Sequence, residues 1–472
     1  MLTQNLSLKA HLKQTLTLSF PVMIGQLGMV LMGVQDNLMV GWVSHVHLSA
    51  AALANSMYFI LIVLGFGLTS AITPLVSEAI GAGKPEQTGL FLRQGVWAAI
   101  IGSFVLMILV ELSIWLMPYM GQPAEEVALA TPYLRIINFS TLPMILFVAY
   151  RQFCEGIGDT RTGMVITGIG LVANVFLNWV LIFGEFGAPR MELEGAAWAT
   201  LLSKVIMLVV IMIYVHRAKT HAPLLAHSDW KIKTNTLWTI FALGIPVGLQ
   251  FFFEVAAFGG ATIMMGWLEN PATARAAHQI ALGTASITFM FCSGLSSGAS
   301  VRVGNYFGMR DAAGIRQAAK AAMILCLSIM SLCAAAFVIF RNQIPAWYGV
   351  EGEVAMIAAN LCIWAACFQL FDGAQVVAAG ILRGRQDVRF ATITTFIAHW
   401  VISLPLSYIL AFNFGMGVYG FWVSFLVSLA VAAGLLSYRV FSLREQFDDL
   451  DNTDKQENPN DTNAKMLVAV EH

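Results

Sequence analysis

Twelve apolar stretches, each about as long as a membrane crossing, leave this chain few ways to fold. A helical span needs about 20 mostly apolar residues. The stretches fall at roughly 14–40, 50–77, 93–117, 131–154, 163–186, 195–216, 236–260, 276–301, 317–340, 354–380, 390–411 and 417–440. In lipid, only helices and closed barrels satisfy the backbone. Short segments of alternating hydrophobicity, the mark of a barrel, are absent. Only 11% of the 472 residues are charged, against about 25% in an ordinary soluble domain. The expected fold class is an all-α polytopic membrane protein.

Loop charge sets the expected orientation. Joins after even-numbered spans carry Lys84 and Arg93, Arg151 and Arg161, Arg217 to Lys233, Arg302 to Lys320, and Arg383 to Arg389. Joins after odd-numbered spans carry Arg190, Arg275 and Arg341. Both termini are therefore expected in the cytoplasm. The N-terminus is polar to about Gln14 without a small-residue cleavage site, so no signal peptide is expected. A net charge of −1 gives no reason to expect a nucleic-acid partner.

The chain repeats itself. GLTSAITPLVSEAIG at 67–81 matches GLSSGASVRVGNYFG at 294–308, and CEGIGDTR at 154–161 matches LRGRQDVR at 382–389. Pro21 pairs with Pro246 at a similar offset. The organisation read from this is a cytoplasmic segment 1–13, an N-lobe 14–216, a cytoplasmic linker 217–235, a C-lobe 236–442 and a disordered tail 443–472. Parallel repeats with a site at their interface are a common transporter plan.

Three carboxylates stand inside the spans: Asp36, Glu254 and Asp372. A charge at membrane depth is costly and is rare unless it pairs, faces water or handles ions. Their repeat mates are Ala261, Met29 and Met144, so the acids break the symmetry that the glycines keep. Residues holding the shared fold would more often recur in both halves, which favours function over a structural ion pair. If Glu254 and Asp372 share a pocket, a proton or hard cation would sit between them, making both candidate sodium ligands. Asn174 and Asn178 share a helix face; they either supply amide oxygens beside Asp36 or hydrogen-bond between helices. Thr200 is a weaker candidate on the next helix. Lys204 either pairs with a membrane carboxylate or lines a cavity. Glu111 reads as interfacial, and His278 and His399 read as hydrogen-bonded structural residues. The six cysteines read as small buried hydrophobes. The Gly83-Lys84 pair lacks the rest of a P-loop, and no catalytic or metal motif is present, so neither an enzyme nor a cofactor is expected.

Taken together, FPVMIGQL with Asp36-Asn-Leu-Met-Val-Gly, SEAIGAGKPE, CEGIGDTR, AAHQIAL and FDGAQVVAAGILRGRQDVRF resemble the multidrug and toxic compound extrusion (MATE) transporters, in their bacterial NorM-type branch. The resemblance covers about residues 10–440. It implies two six-helix lobes forming a V around a central cavity. It also implies a monomer in membrane lipid that exports cationic amphipathic drugs and dyes in exchange for sodium ions or protons. Asp36 matches the family's N-lobe acid, Glu254 and Asp372 match its C-lobe cation-site acids, and Asn174, Asn178 and Thr200 fall near its N-lobe polar cluster. Some archaeal relatives carry a second acid where this chain has Asn178, which leaves sodium open as the coupling ion. The alternative is a flippase of the same superfamily for lipid-linked or glycan precursors, which would need a more cationic cavity.

Overall fold

A computed structural model describes residues 7–225 and 229–442. The expected tail 443–472, and the first six residues of the expected N-terminal segment, lie outside the described residues. Twelve helices are long and apolar enough to cross a membrane. They are α1 (Leu8–Gly41), α2 (His45–Gly81), α3 (Pro85–Met120), α4 (Ala124–Gly156), α5 (Thr160–Phe183), α6 (Glu192–Arg217), α7 (Thr234–Trp267), α8 (Pro271–Gly308), α9 (Ala312–Ile339), α10 (Gly352–Gly384), α11 (Val388–Asn413) and α12 (Val418–Phe441). Among the described residues there are no strands.

The helices outrun the apolar stretches read from sequence, because their ends continue past the hydrocarbon. Polar residues take the start positions. Ser7 Oγ accepts from Ala10 N at 3.3 Å, so the helix begins inside the segment expected to precede the first span. Ser44 caps α2, Asp159 caps α5 and Asp311 caps α9, each satisfying an otherwise unpaired N–H. For the same reason Arg93, Arg151, Arg302 and Arg383 lie within helices rather than in the joins where their charge was counted. Small breaks interrupt α2 and α4, where the Ser70 and Ser140 hydroxyls donate back to Gly67 O and Ile137 O at 2.6 and 2.7 Å. α11 carries two π-helical segments, Ile397–Ser403 and Ile409–Asn413, on either side of Pro405, whose missing N–H disrupts the α-helical ladder.

α1–α6 and α7–α12 form two lobes arranged as a V. Each lobe has its own core, around Phe147, Tyr150 and Phe153 in one and around Phe421, Trp422 and Phe425 in the other. Phe104, Ile108, Leu112 and Trp115 form an exposed stripe along α3, suited to lipid contact.

The lobes cross where glycines permit it. A Cβ on Gly67 of α2 would run into the backbone of Gly248 of α7, and one on Gly294 of α8 would meet Met23 of α1 at 2.8 Å from its backbone N. Gly67 and Gly294 are repeat mates, and so are Gly248 and Met23, so the two crossings are one contact made twice. This explains why the repeat keeps its glycines. Gly81 against Asn305 and Gly308 against Glu78 close the lobes further toward the face that bears the termini.

The two crossings differ in polarity. At α1/α8, Arg302 donates through Nη1 to His11 O and Thr15 Oγ1, both at 2.8 Å, and through Nη2 to His11 Nδ1 at 2.7 Å and Gln14 Oε1 at 3.1 Å. Its repeat mate on α2, Leu75, instead packs in an apolar cluster with Ala71, Ala98 and Ile240. Gln386 Nε2 donates to Glu78 across the same face. The linker is strapped to α3: Gln94 donates to Lys231 O at 2.8 Å and accepts from Lys233 N at 3.0 Å, and Arg93 donates to Leu225 O at 3.0 Å.

Candidate carboxylate sites in the two lobes

In the N-lobe, α1, α5 and α6 meet around Asp36, which is 9% exposed. Asn174 and Asn178 stand one turn apart on α5 and face it. Asn178 Nδ2 donates to Asp36 Oδ1 at 2.5 Å and to Asn174 Oδ1 at 3.2 Å. From α6, Thr200 Oγ1 donates to Asp36 Oδ2 at 3.0 Å. Asn178 therefore presents its amide N–H, not its oxygen, to the acid. Thr200, the weaker candidate in sequence, is a direct partner. Both carboxylate oxygens are held by neutral donors, an arrangement that can retain charge at depth without a fixed counter-ion.

Lys204 lies on α6 one turn below Thr200, toward the termini. It is 9% exposed, and its Nζ donates to Met32 Sδ at 3.2 Å. Among the described residues Lys204 makes no ion pair, although the charge of Asp36 acts on it.

In the C-lobe, α7 and α10 bring Glu254 and Asp372 into one buried site, 8% and 7% exposed. Asp372 is the charged group acting on Glu254, and Gln375 reaches both acids. Gln375 Nε2 donates to Glu254 Oε1 at 3.3 Å, while Asp372 Oδ1 has no partner among the described residues. By rise per residue, Glu254 stands about 9 Å beyond the Gly67–Gly248 crossing, on the side away from the termini. Among the described residues no group of three or more His, Cys, Asp or Glu side chains forms a metal cluster. The two carboxylates supply hard oxygen donors of the kind that take a proton or a sodium ion.

Gln375 is not among the residues singled out from the sequence, although an amide three residues after Asp372 in an apolar helix is a visible signal. His278 and His399 are buried among aromatic rings, with His278 5.8 Å from Trp422 and His399 6.0 Å from Phe258. Glu111 pairs with Arg135 at 3.1 Å on the exposed surface.

The repeated loops are built alike. Asp159 accepts from Thr162 Oγ1 at 2.6 Å and from Tyr214 of α6 at 3.0 Å. Asp387 accepts from Arg439 of α12 at 2.8 Å. In each lobe the loop aspartate is tied to the lobe's last helix. His221 also lies 3.9 Å from Asp159; burial holds its imidazole below the ordinary range, against the pull of Asp159.

A model of the MatE family matches residues 21–180 and 246–409. The chain is 34% identical to the multidrug resistance protein NorM of Aliivibrio fischeri, over 90% of this chain and 94% of that protein. It is 33% identical to the multidrug resistance protein MdtK of Proteus mirabilis, over 93% and 97%. The solved structure of the eukaryotic MATE transporter AtDTX14 superposes with a TM-score of 0.84 at 22% identity, over 93% of this chain and 99% of that one.

Proposed function

The chain belongs to the MatE family, whose members are transporters rather than enzymes, and from that premise we propose that it exports cationic amphipathic compounds in exchange for sodium ions or protons. It is a multi-pass membrane protein with multidrug-transporter relatives. The observation that carries the reading is the set of membrane-buried carboxylates without a basic partner in contact. Asp36 is held by Asn178 and Thr200, and Glu254 and Asp372 share Gln375.

The two sites take different parts. Glu254 and Asp372 form a doubly acidic pocket that binds a cation or proton to relieve its own repulsion. Asp36, alone in its pocket as an acid, receives the positive charge of the substrate. With the termini in the cytoplasm, the closed face is the inner one, and the state described opens outward. Coupling-ion binding in the C-lobe favours the arrangement that releases substrate from the N-lobe. The two fluxes are then linked through the relative position of the lobes. Rocking about the glycine crossings would break the Arg302 contacts and open the inner face. The methionine-rich helices, with 23 Met in the chain, suit adaptable recognition of varied apolar groups.

The test is ethidium efflux from proteoliposomes of the purified protein under an imposed inward sodium gradient at clamped pH, and under a proton gradient without sodium. Efflux driven by either gradient supports the reading and identifies the ion. Absence of efflux under both removes it.

A further inference from the structure

Lys204 has no part in the exchange described so far. Its ammonium carries three donors, yet its one acceptor among the described residues is the thioether of Met32, at 3.2 Å. A thioether is a weak acceptor and a poor exchange for water. Asp36 does not need the lysine either, because each of its oxygens already accepts from a neutral donor. A buried cation has thus been placed beside the N-lobe acid without being bound by it.

The register shows where that cation points. α1 and α6 run antiparallel, and Thr200 meets Asp36 while Lys204 meets Met32. Both steps are four residues, so the ammonium stands about 6 Å from the level of the carboxylate. Met32 is unbranched and flexible, so it can swing aside for a better acceptor. We propose that Lys204 is the anchor for an anionic group, chiefly a carboxylate, on the substrate. The N-lobe pocket then takes zwitterions, with the positive end on Asp36 and the negative end on Lys204 one helical turn away. This rests on Asp36 receiving the substrate's positive charge. It adds a second, opposite subsite to that pocket.

Two dyes that differ at one group test it. Tetramethylrhodamine is a zwitterion at pH 7, and its methyl ester is a cation without the carboxylate. Binding of each to the purified protein in lipid nanodiscs is read by fluorescence anisotropy. Lys204→Met should weaken tetramethylrhodamine by about tenfold or more, the scale of a lost charge-assisted hydrogen bond. It should strengthen the methyl ester, because a repelling charge beside Asp36 is gone. Lys204→Arg should keep most of the zwitterion's affinity. Unchanged zwitterion binding in Lys204→Met, or equal weakening of both dyes, overturns the proposal. Failure of the underlying reading shows separately, as methyl ester binding that Asp36→Asn leaves intact. Binding of neither dye by the unaltered protein overturns both.

Discussion

Asp36 in the N-lobe and the Glu254–Asp372 pair in the C-lobe sit in lobes of one design but are buried in opposite ways. The single acid is fully hydrogen-bonded by Asn178 and Thr200 and has a lysine nearby. The two acids share one amide, and an oxygen of Asp372 is left without a partner among the described residues. In the first pocket both oxygens of the acid are met by neutral donors; in the second two like charges stand together. An acid already held by neutral donors needs no coupling ion of its own. A site that repels itself demands a small cation or proton in every cycle. On the proposed function, this difference divides the labour of an exchanger between the lobes.

The largest expected effect comes from neutralising the second pocket. Glu254→Gln combined with Asp372→Asn should cut gradient-driven ethidium export by about 100-fold, toward the top of the usual range of coupling energies. Export near the unaltered rate in proteoliposomes would erase the contrast between the lobes.

Stability should respond with opposite signs. Asp36→Ala leaves the Asn178 and Thr200 donors unpaired and should cost about 1–3 kcal/mol. Glu254→Gln removes a like charge and should stabilise the protein by about 1 kcal/mol or more, at an effective dielectric near 20. Thermal unfolding in sodium-free buffer at high pH, where both acids are ionised, reads the two together. Shifts of the same sign would show that the two pockets are not built differently.

At the crossings, too, equivalent positions carry unequal chemistry. Arg302→Ala removes the polar latch to His11, Gln14 and Thr15 and should shift the balance toward opening at the terminal face by about 1–2 kcal/mol. Distances between spin labels across that face check it. Leu75→Ala, at the apolar mate that packs on Ile240 of α7, should shift the same balance less, because it removes packing and leaves no charge-assisted hydrogen bond broken.

The smallest effect lies in the two loops. His221 is held neutral by burial, with its folded pKa below the ordinary 6.5. Its contribution is present above that value and lost as pH falls below it, because the unfolded chain then binds the extra proton. The unfolding midpoint should therefore drop slightly with acidification below about pH 6.5, and His221→Phe should flatten the drop. The C-lobe loop, tied by Arg439 to Asp387, offers no such group.

Much of this frame was legible in the sequence. Spans, repeat and acids follow from the cost of charge and unpaired backbone in lipid, which acts residue by residue. The i, i+4 spacing put Asn174 and Asn178 on one face, but only the packing of α5 on α1 shows that the face meets Asp36. Gln375 and Thr200 gain their roles through neighbours more than a hundred residues away. Arg302 read as a loop charge because its hydropathy marks a helix end, whereas its partners come from the other lobe. Local pattern finds what lipid forbids; it does not find which helices touch.

The central claim is that the coupling ion belongs to the C-lobe pair and the substrate's charge to Asp36. Binding of radioactive sodium, together with proton release on dye addition, should be measured on the purified protein, on Asp36→Asn and on the Glu254→Gln/Asp372→Asn variant. The account predicts that Asp36→Asn keeps ion binding and loses the cationic dye, while the double variant loses ion binding and keeps the dye. Ion binding that survives in the double variant and disappears in Asp36→Asn would contradict it.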